Sequence, residues 1–316
     1  MDGKRQQGRR GNPARGRRME DEGRNWQQLI GIALGLAVLA LAAGYLGWLH
    51  PLGDSLSVGR GVAAAAVLVL AVFASFAGLR MAAFVSMLLA LLCGGQVILA
   101  YSWPGPPGKY TVYQKNVRFR NADLPALAAD IRAADPDIVT LQEVLPKNRA
   151  WMDGLQDAWP HQLLCPGGTV GGPAILTRLD PVQGTEFCGP GLAAMQVVAG
   201  PAEKRDRFWL VSVHLHWPWP YGQADQVDLV LPILDKLQGP AVMAGDFNMV
   251  RWANSVTRMA DILGVRPTGP TAGSYIGLSP LMPLPLDHVF STLGGRVTLR
   301  PVAGSDHLGL LAEVAL

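Results

Sequence analysis

The sequence predicts an α/β domain that follows three transmembrane helices, and two observations predict this. The chain is 49% hydrophobic and only 16% charged over 316 residues, a balance more apolar than that of most soluble proteins. Its long, continuously apolar segments all lie before residue 102. Behind them, short valine- and leucine-rich segments alternate with a helical pattern, which is typical of mixed α/β layers.

Three apolar segments are long enough to cross a bilayer. They cover residues 29–48, 61–78 and 81–101. A helix rises about 1.5 Å per residue, so each approaches the roughly 30 Å of hydrocarbon. The first could instead be a cleaved signal peptide, although its apolar stretch exceeds the usual length of about 7–15 residues. The second, which is rich in alanine, could instead lie in the membrane interface.

A basic tail, residues 1–28, precedes the first span and holds eight Lys and Arg. Its Gly, Gln and Arg content cannot form a core, so we expect it to be disordered and, by the positive-inside rule, cytoplasmic. Contact with nucleic acid or anionic lipid is another explanation for the charge. Three crossings place the domain outside the cytoplasm, which in a bacterium means the periplasmic or extracellular side of the inner (plasma) membrane. If the second segment does not cross, the domain would face the cytoplasm.

A Pro/Gly-rich stretch, residues 102–109, predicts a short, semi-stiff linker to a domain at 110–316. From residue 102 onward the chain has 17 Lys and Arg against 19 Asp and Glu, a net charge of −2. Proteins that bind long polyanions are usually basic, so this charge disfavours nucleic acid as a partner. Cys165 and Cys188 lie in this exported domain, where a disulfide is permitted, but the sequence does not establish their distance, and two free cysteines are the default expectation.

The domain begins with a strand, a helix and a strand. We predict a strand at Tyr110–Val117, a helix at Asp123–Ala134 with Asp123 as its N-cap, and a strand at Asp137–Val144. A later helix is predicted at Gln223–Leu237, which Pro232 would kink or end. Further strands are predicted at 173–177, 193–198, 208–215, 241–244, 286–290, 297–302 and 308–314.

Polar side chains recur where these strands end. They are Asn116, Glu143, His214, Asp246, Asn248, Asp287, His288, Ser305, Asp306 and His307. A carboxylate at the end of an apolar strand is costly to bury without a partner, so we expect these residues to converge. Oxygen ligands without thiolates favour a hard cation, Mg²⁺ or Mn²⁺.

Six of these segments, in this order, resemble the endonuclease/exonuclease/phosphatase superfamily, whose fold is deoxyribonuclease-I-like. They are Asn116, Leu141–Val144, Ser212–Leu215, Gly245–Asn248, Leu286–Phe290 and Ser305–His307. The resemblance covers nearly all of residues 110–316. It implies a four-layered α/β sandwich that cleaves a phosphoester with water and a divalent metal.

The resemblance also implies roles for single residues. Glu143 would ligate the metal, with Asn116 and Asp306 close by. Asp246 would orient or deprotonate the attacking water, and Asn248 would hold a phosphate oxygen.

Two histidines complete the implied site. His307, oriented by Asp287, would bind the scissile phosphate or act in acid–base transfer. His214 would stabilise or protonate the leaving group. In both roles an imidazole neutralises charge that develops on phosphate oxygens.

The sequence departs from one branch of the superfamily. Abasic-site nucleases carry an acidic residue where this chain has Arg118. The loop Trp217–Tyr221 could face substrate or bilayer, because Trp and Tyr favour that interface, or it could be a rigid packing loop. The sequence resembles bacterial membrane members of the superfamily, so a lipid-linked or other extracytoplasmic phosphate ester is the expected substrate. An exported nuclease and a catalytically idle binding domain are the alternatives; no protein partner is predicted.

Overall fold

The computed structural model describes residues 13–200 and 205–316, with side chains from residue 23 onward. It divides into two compact units. Within the described chain, one unit comprises residues 13–42 and 60–95, and the other comprises residues 43–59 and 96–316.

Four helices come first in the chain: α1 (Pro13–Ala43), α2 (Leu52–Val58), α3 (Arg60–Phe76) and α4 (Arg80–Ser102). In the first unit, small side chains such as Ala64, Ala71 and Ala90 form the buried contacts between helices. Side chains of this size let helices approach closely, as is common in membranes.

Two stretches of the described chain are long and apolar enough to cross a membrane, Gly23–Ala43 and Arg80–Ser102. A third span exists only if α2 and α3 count together as one broken span. Two of the three predicted spans are therefore confirmed as helices of spanning length. The first helix ends at Ala43, five residues before the predicted end. Of the predicted disordered tail, residues 1–12 lie outside the described residues and Pro13–Gln28 is helical.

The second unit is built on a mixed sheet, for which the described residues supply thirteen strands. They are β1 (Tyr110–Asn116), β2 (Ile138–Val144), β3 (His161–Leu164), β4 (Gly172–Thr177), β5 (Asp180–Pro181), β6 (Phe187–Gly189), β7 (Leu192–Ala199), β8 (Asp206–His214), β9 (Ala241–Asp246), β10 (Arg266–Gly269), β11 (Asp287–Ser291), β12 (Gly295–Arg300) and β13 (Gly309–Val314). Their order is β3-β4-β2-β1-β13-β12-β10-β11-β9-β8-β7-β5, with β6 also paired to β7.

The sheet forms two halves that pack face to face. Strand β10 joins them, because it pairs with β12 in one half and β11 in the other. Val112 and Ile138 from the first half share a core with Phe208, Val242 and Val289 from the second. Alternate residues of each strand point away from this core, and helices pack against them.

Helices cover both outer faces. They are α5 (Leu124–Ala134), α6 (Arg149–Asp153), α7 (Gln223–Leu234) and α8 (Asn254–Leu263). Leu127 of α5 and Met152 of α6 pack against the first half, whereas Val230 of α7 and Met259 of α8 pack against the second. Helix, sheet, sheet and helix make the α/β sandwich that the resemblance implies.

Local chemistry accounts for several element boundaries. The carboxylate of Asp123 accepts a hydrogen bond from Ala126 N, so it is the N-cap that the sequence predicts for α5. Helix α7 contains Pro232, which removes one backbone donor inside the helix, and ends at Leu234, three residues before the predicted end. Cys165 and Cys188 form a disulfide with their Cα atoms 5.4 Å apart, which settles the choice that the sequence left open.

The chain segments that lead to and from the first unit are bonded to the sandwich. The Asp54 carboxylate of α2 accepts hydrogen bonds from Asn254 N at 2.7 Å and Ser255 N at 2.9 Å, which caps the start of α8. Near the end of α4, the carbonyl oxygen of Ala100 accepts hydrogen bonds from Arg251 Nη2 at 2.7 Å and Thr271 N at 2.9 Å. Both segments therefore fold as parts of the second unit.

Candidate active site

The strand pairing brings the ends of four strands to one edge of the sandwich. Strands β1 and β2 are parallel, so Asn116 and Glu143 leave the same edge of their half. Strands β8 and β9 are also parallel, and His214 lies opposite Asp246. Strand β11 runs antiparallel to β9, which sets its first residue, Asp287, beside Asp246.

A buried lysine holds the loop that carries the last predicted site residues. Lys115 is fully buried on β1, and its Nζ donates to three carbonyl oxygens of the loop 301–307 at 2.6–3.1 Å. Ser305 Oγ donates to the carbonyl oxygen of Asn116 at 2.8 Å. Burial lowers the pKa of Lys115 to about 8. Lys115 thus fixes the position of His307 relative to β1.

Two carboxylates converge on one amide. Asn116 Nδ2 donates to Glu143 Oε1 at 3.1 Å and to Asp246 Oδ2 at 2.9 Å. Glu143 also accepts a hydrogen bond from Phe119 N at 2.8 Å, and its backbone φ of 61° lies where the β2–β4 register shifts. Non-glycine residues rarely adopt this backbone conformation, which is typical of functional positions. Burial raises the pKa of Asp246 to about 7.

Asp287 and His307 form a buried pair. His307 Nδ1 lies 2.6 Å from Asp287 Oδ2, which also accepts from Ser274 Oγ at 2.5 Å, while Gln114 Nε2 donates to Oδ1 at 2.9 Å. Burial opposes the charged imidazole, but the charges of Asp287 and Asp246 outweigh burial and raise the pKa of His307 to about 9. Burial likewise opposes the Asp287 carboxylate, yet His307 and these hydrogen bonds keep the pKa of Asp287 below its ordinary value. The pair is therefore ionic at neutral pH.

His214 and Asn248 lie on the other side of the carboxylates. His214 Nε2 is 3.9 Å from both Glu143 Oε1 and Asp246 Oδ2. Burial, followed by the charge of His307, lowers the pKa of His214 to about 4, so it is neutral at pH 7. Asn248 N donates to Asp246 Oδ1 at 2.8 Å and its Nδ2 donates to Leu215 O at 2.8 Å, which leaves one amide proton for an anion.

A cavity of about 540 Å³ opens onto this cluster. Six of the eight residues singled out in the sequence line it: Glu143, His214, Asp246, Asn248, Asp306 and His307. The other two, Asn116 and Asp287, lie behind them and bond to them. Asp306 is nearer the rim, with its carboxylate 33% exposed and 3.7 Å from Arg118 Nε. The structure thus brings all eight residues to one site.

Residues 114–307 match the model of the Endonuclease/Exonuclease/phosphatase family, and this match covers more than half of the chain. The chain belongs to this family. The family's name describes enzymes that hydrolyse phosphoester bonds.

Solved structures with the same fold include other members of the family. A family protein from Bacteroides thetaiotaomicron is 16% identical and matches 66% of this chain and 95% of its own, with a TM-score of 0.50. SmcL is 12% identical over 66% of this chain and 99% of its own, with a TM-score of 0.50. TDP2 from C. elegans is 17% identical over 69% and 79%, with a TM-score of 0.49. At identities this low, the two structures with TM-scores of 0.50 show the fold alone. Among curated proteins, none matches the chain.

The site has donors that suit a divalent metal. Among the described residues, Asp246, Asp287 and His307 each offer a ligand atom, and these atoms lie within 4.8 Å of one another. The Asp287–His307 hydrogen bond, however, already occupies one atom of each. Glu143 supplies further carboxylate oxygens, and rotation of the Asn116 amide would add another oxygen donor. An oxygen-rich donor set of this kind fits Mg²⁺ or Mn²⁺.

Several site residues have no signal in the sequence. Tyr275 lines the cavity, with its ring centroid 4.9 Å from that of His307. Ser274 and Gln114 hold the Asp287 carboxylate. Gln114 is two residues before Asn116 and so shares its strand face, which is the one clue that the sequence contains. His288, which has no assigned role, is buried, and its Nε2 lies 2.9 Å from Met249 O.

Proposed function

We propose that this protein is a membrane-anchored, metal-dependent phosphoesterase that hydrolyses a lipid-linked or other phosphate ester outside the cytoplasm. One observation carries the proposal: the imidazolium of the ionic Asp287–His307 pair lies 3.7 Å, Nε2 to Oδ2, from the Asp246 carboxylate, whose pKa is raised, and both His307 and Asp246 line a single cavity. The cation suits binding of a phosphate, and a carboxylate with a raised pKa suits accepting a proton from water in its ionised form.

The side chains would divide the chemistry as follows. Asp246, with a pKa of about 7, takes the proton of the attacking water near neutral pH. His307, protonated below about pH 9, neutralises a phosphate oxygen. Asn248 donates its remaining amide proton to another oxygen. His214 is neutral and lies against the carboxylates, where it can position the leaving group.

Glu143 and Asn116 would hold Mg²⁺ or Mn²⁺, with Asp306 farther out beside Arg118. When bound, the ion would supply positive charge to the phosphate and to the attacking oxygen. The protein's part is to hold the donors in place. Phe119 N fixes Glu143, and the Asp246 turn fixes Asn248.

The bonded segments support a sidedness for the catalytic domain. Residues 43–59 and 96–316 form one compact unit, so they share one side of the bilayer. Helix α1 connects the tail to this unit and would be the crossing that separates them. The tail and domain then lie on opposite sides even if α3 and α4 form a hairpin that does not cross fully. With the basic tail in the cytoplasm, the domain faces the periplasm or the exterior at a bacterial inner membrane. A reporter fused after Leu316, active only outside the cytoplasm, tests this arrangement.

Turnover of three substrates side by side tests the function. The full chain in nanodiscs would be assayed with Mg²⁺ or Mn²⁺ on a polyprenyl pyrophosphate, a phospholipid and plasmid DNA, with Asp246→Ala and His307→Ala as controls. We expect release of phosphate or headgroup that needs the metal and that both substitutions abolish, with DNA intact. Nicked DNA with untouched lipids would identify a nuclease instead. No turnover of any phosphoester would leave a binding domain.

A further inference from the structure

Two loops at the rim of the cavity expose large apolar side chains. In the aromatic loop, Trp217–Tyr221, the side chains of Trp217, Trp219 and Tyr221 are 42%, 44% and 69% exposed. In the leucine loop, residues 278–282, those of Leu278, Leu281 and Met282 are 72%, 93% and 71% exposed. Single exposed apolar residues are common, but six on two neighbouring loops form a surface that favours an apolar partner.

The aromatic loop lines the catalytic cavity, and the leucine loop is connected to it through Tyr275. Trp217 and Tyr221 line the cavity directly. Tyr275, a few residues before the leucine loop, also lines it. Tyr275 and Leu284 exchange two backbone hydrogen bonds of 2.9 Å, which close that loop at its base. The rings of Trp217 and Tyr275 meet edge to face, with centroids 5.7 Å apart. The leucine loop is thus joined through Tyr275 to the cavity that the aromatic loop lines.

The rim is also bonded to the segments that continue into the apolar helices. Ser55 Oγ donates to the carbonyl oxygen of Trp219 at 2.9 Å, and the rings of His50 and Trp219 are 6.1 Å apart. His50 and Ser55 both lie within twelve residues of Ala43, where α1 ends. On the other side, Thr271, four residues before Tyr275, bonds to Ala100 of α4. These contacts bond the rim to the two segments of the second unit that continue into the apolar helices.

We propose that the aromatic loop and the leucine loop dock on the outer surface of the same bilayer and admit a lipid phosphoester sideways into the cavity. This deepens the proposed function and rests on it for the identity of the reaction. Trp and Tyr favour the membrane interface, whereas Leu and Met bury their side chains among acyl chains. The net charge of −2 from residue 102 onward points to apolar insertion, since electrostatic attraction to anionic lipid needs basic residues.

Fluorescent labels on the full chain test the docking without relying on activity. Leu281→Cys and Leu293→Cys would each be made with Cys93→Ala and labelled with an environment-sensitive nitrobenzoxadiazole dye in nanodiscs. Leu293 is a matched control because it is an exposed leucine, 55% accessible, beyond the end of β11 opposite to Asp287. We expect a blue-shifted emission and quenching by spin-labelled lipid at position 281 only. Solvent-like emission without quenching at position 281 would overturn the docking.

A second measurement tests whether the docking admits substrate. The double variant Leu281→Ser with Met282→Ser would be compared with Leu293→Ser on a lipid phosphoester in vesicles and on the soluble ester bis(4-nitrophenyl) phosphate. We expect the double variant to lose roughly tenfold in kcat/KM on the lipid, since two apolar side chains no longer enter the membrane, and to keep its rate on the soluble ester. Equal rates on the lipid would overturn the proposal. Lipid contact at position 281 without turnover of either ester by the wild-type protein would refute the phosphoesterase function and leave the docking intact.

Discussion

Asp287→Asn isolates the electrostatic part of the candidate site. The substitution keeps the size of the side chain but removes its charge from an atom 2.6 Å from His307 Nδ1. In the wild-type protein, Asp287 and Asp246 raise the pKa of His307 to about 9 against the effect of burial. An adjacent opposite charge shifts a pKa by about 1–3, so we expect a pKa of roughly 6–8 in the variant. This corresponds to about 1.4–4 kcal/mol less stabilisation of the imidazolium.

The sign of the pH effect follows from the direction of the shift. A histidine with a raised pKa keeps its proton below that pKa, so wild-type activity that needs the imidazolium falls only as the pH rises through about 9. In Asp287→Asn this alkaline limb should move to roughly pH 6–8. The measurement is kcat/KM for bis(4-nitrophenyl) phosphate with Mn²⁺ between about pH 5.5 and about pH 10. Over this range the alkaline limb of the wild-type protein separates from that of Asp287→Asn.

Ser274→Ala provides a contrast with the opposite sign. It removes the 2.5 Å hydrogen bond to Asp287 Oδ2 but leaves the charge. A carboxylate that has lost a donor is more basic, so the alkaline limb should stay in place or move upward. An unchanged alkaline limb in Asp287→Asn would refute the assignment of this limb to His307 and the role given to the pair.

Three further variants test how the site and the fold are held. Lys115→Met removes the donor to the three carbonyl oxygens of the loop 301–307. The misplaced loop should lower kcat roughly a hundredfold. Wild-type kcat in a well-folded Lys115→Met variant would contradict this positioning role. Replacing Cys165 and Cys188 together by serine should lower the free energy of unfolding by about 3 kcal/mol, given a loop of 23 residues, and dithiothreitol should lower the melting temperature of the wild-type protein only. Asp54→Ala should destabilise the start of α8 by about 1–2 kcal/mol, as loss of a cap does, whereas Asp54→Asn should cost less; equal proteolysis of residues 44–59 in both variants would argue against the cap.

The strand ends could be predicted because two local signals coincide there. Apolar residues predict strands such as β1 and β9, and a polar residue marks where each strand ends. Asn116 and Asp246 could therefore be identified as candidate site residues. The parallel pairing of β1 with β2 and of β8 with β9 then brings these ends together. The order of the motifs along the chain carries the remaining information about the fold.

The supporting residues could not be predicted because their partners are far away in sequence. Lys115 looks like an exposed strand residue, yet it is fully buried by a loop almost 190 residues later. Asp54 lies between two of the spans predicted from the sequence, and its bonds reach residues 200 and 201 positions away. Tyr275 and Ser274 lie in an irregular segment without periodicity. Strands β5 and β6 have two and three residues, too few to show alternation.

The bonds of Asp54 and Ala100 to the sandwich bear on how this enzyme would find its substrate. They make the segments that continue into the apolar helices part of the folded second unit, so the catalytic domain begins close, along the chain, to those helices. In the proposed setting, substrate would arrive by lateral diffusion within the membrane. The rate should then depend on the mole fraction of the substrate among the other lipids. Diluting the vesicles in buffer should leave the rate per enzyme unchanged, whereas diluting the substrate with inert lipid should lower it.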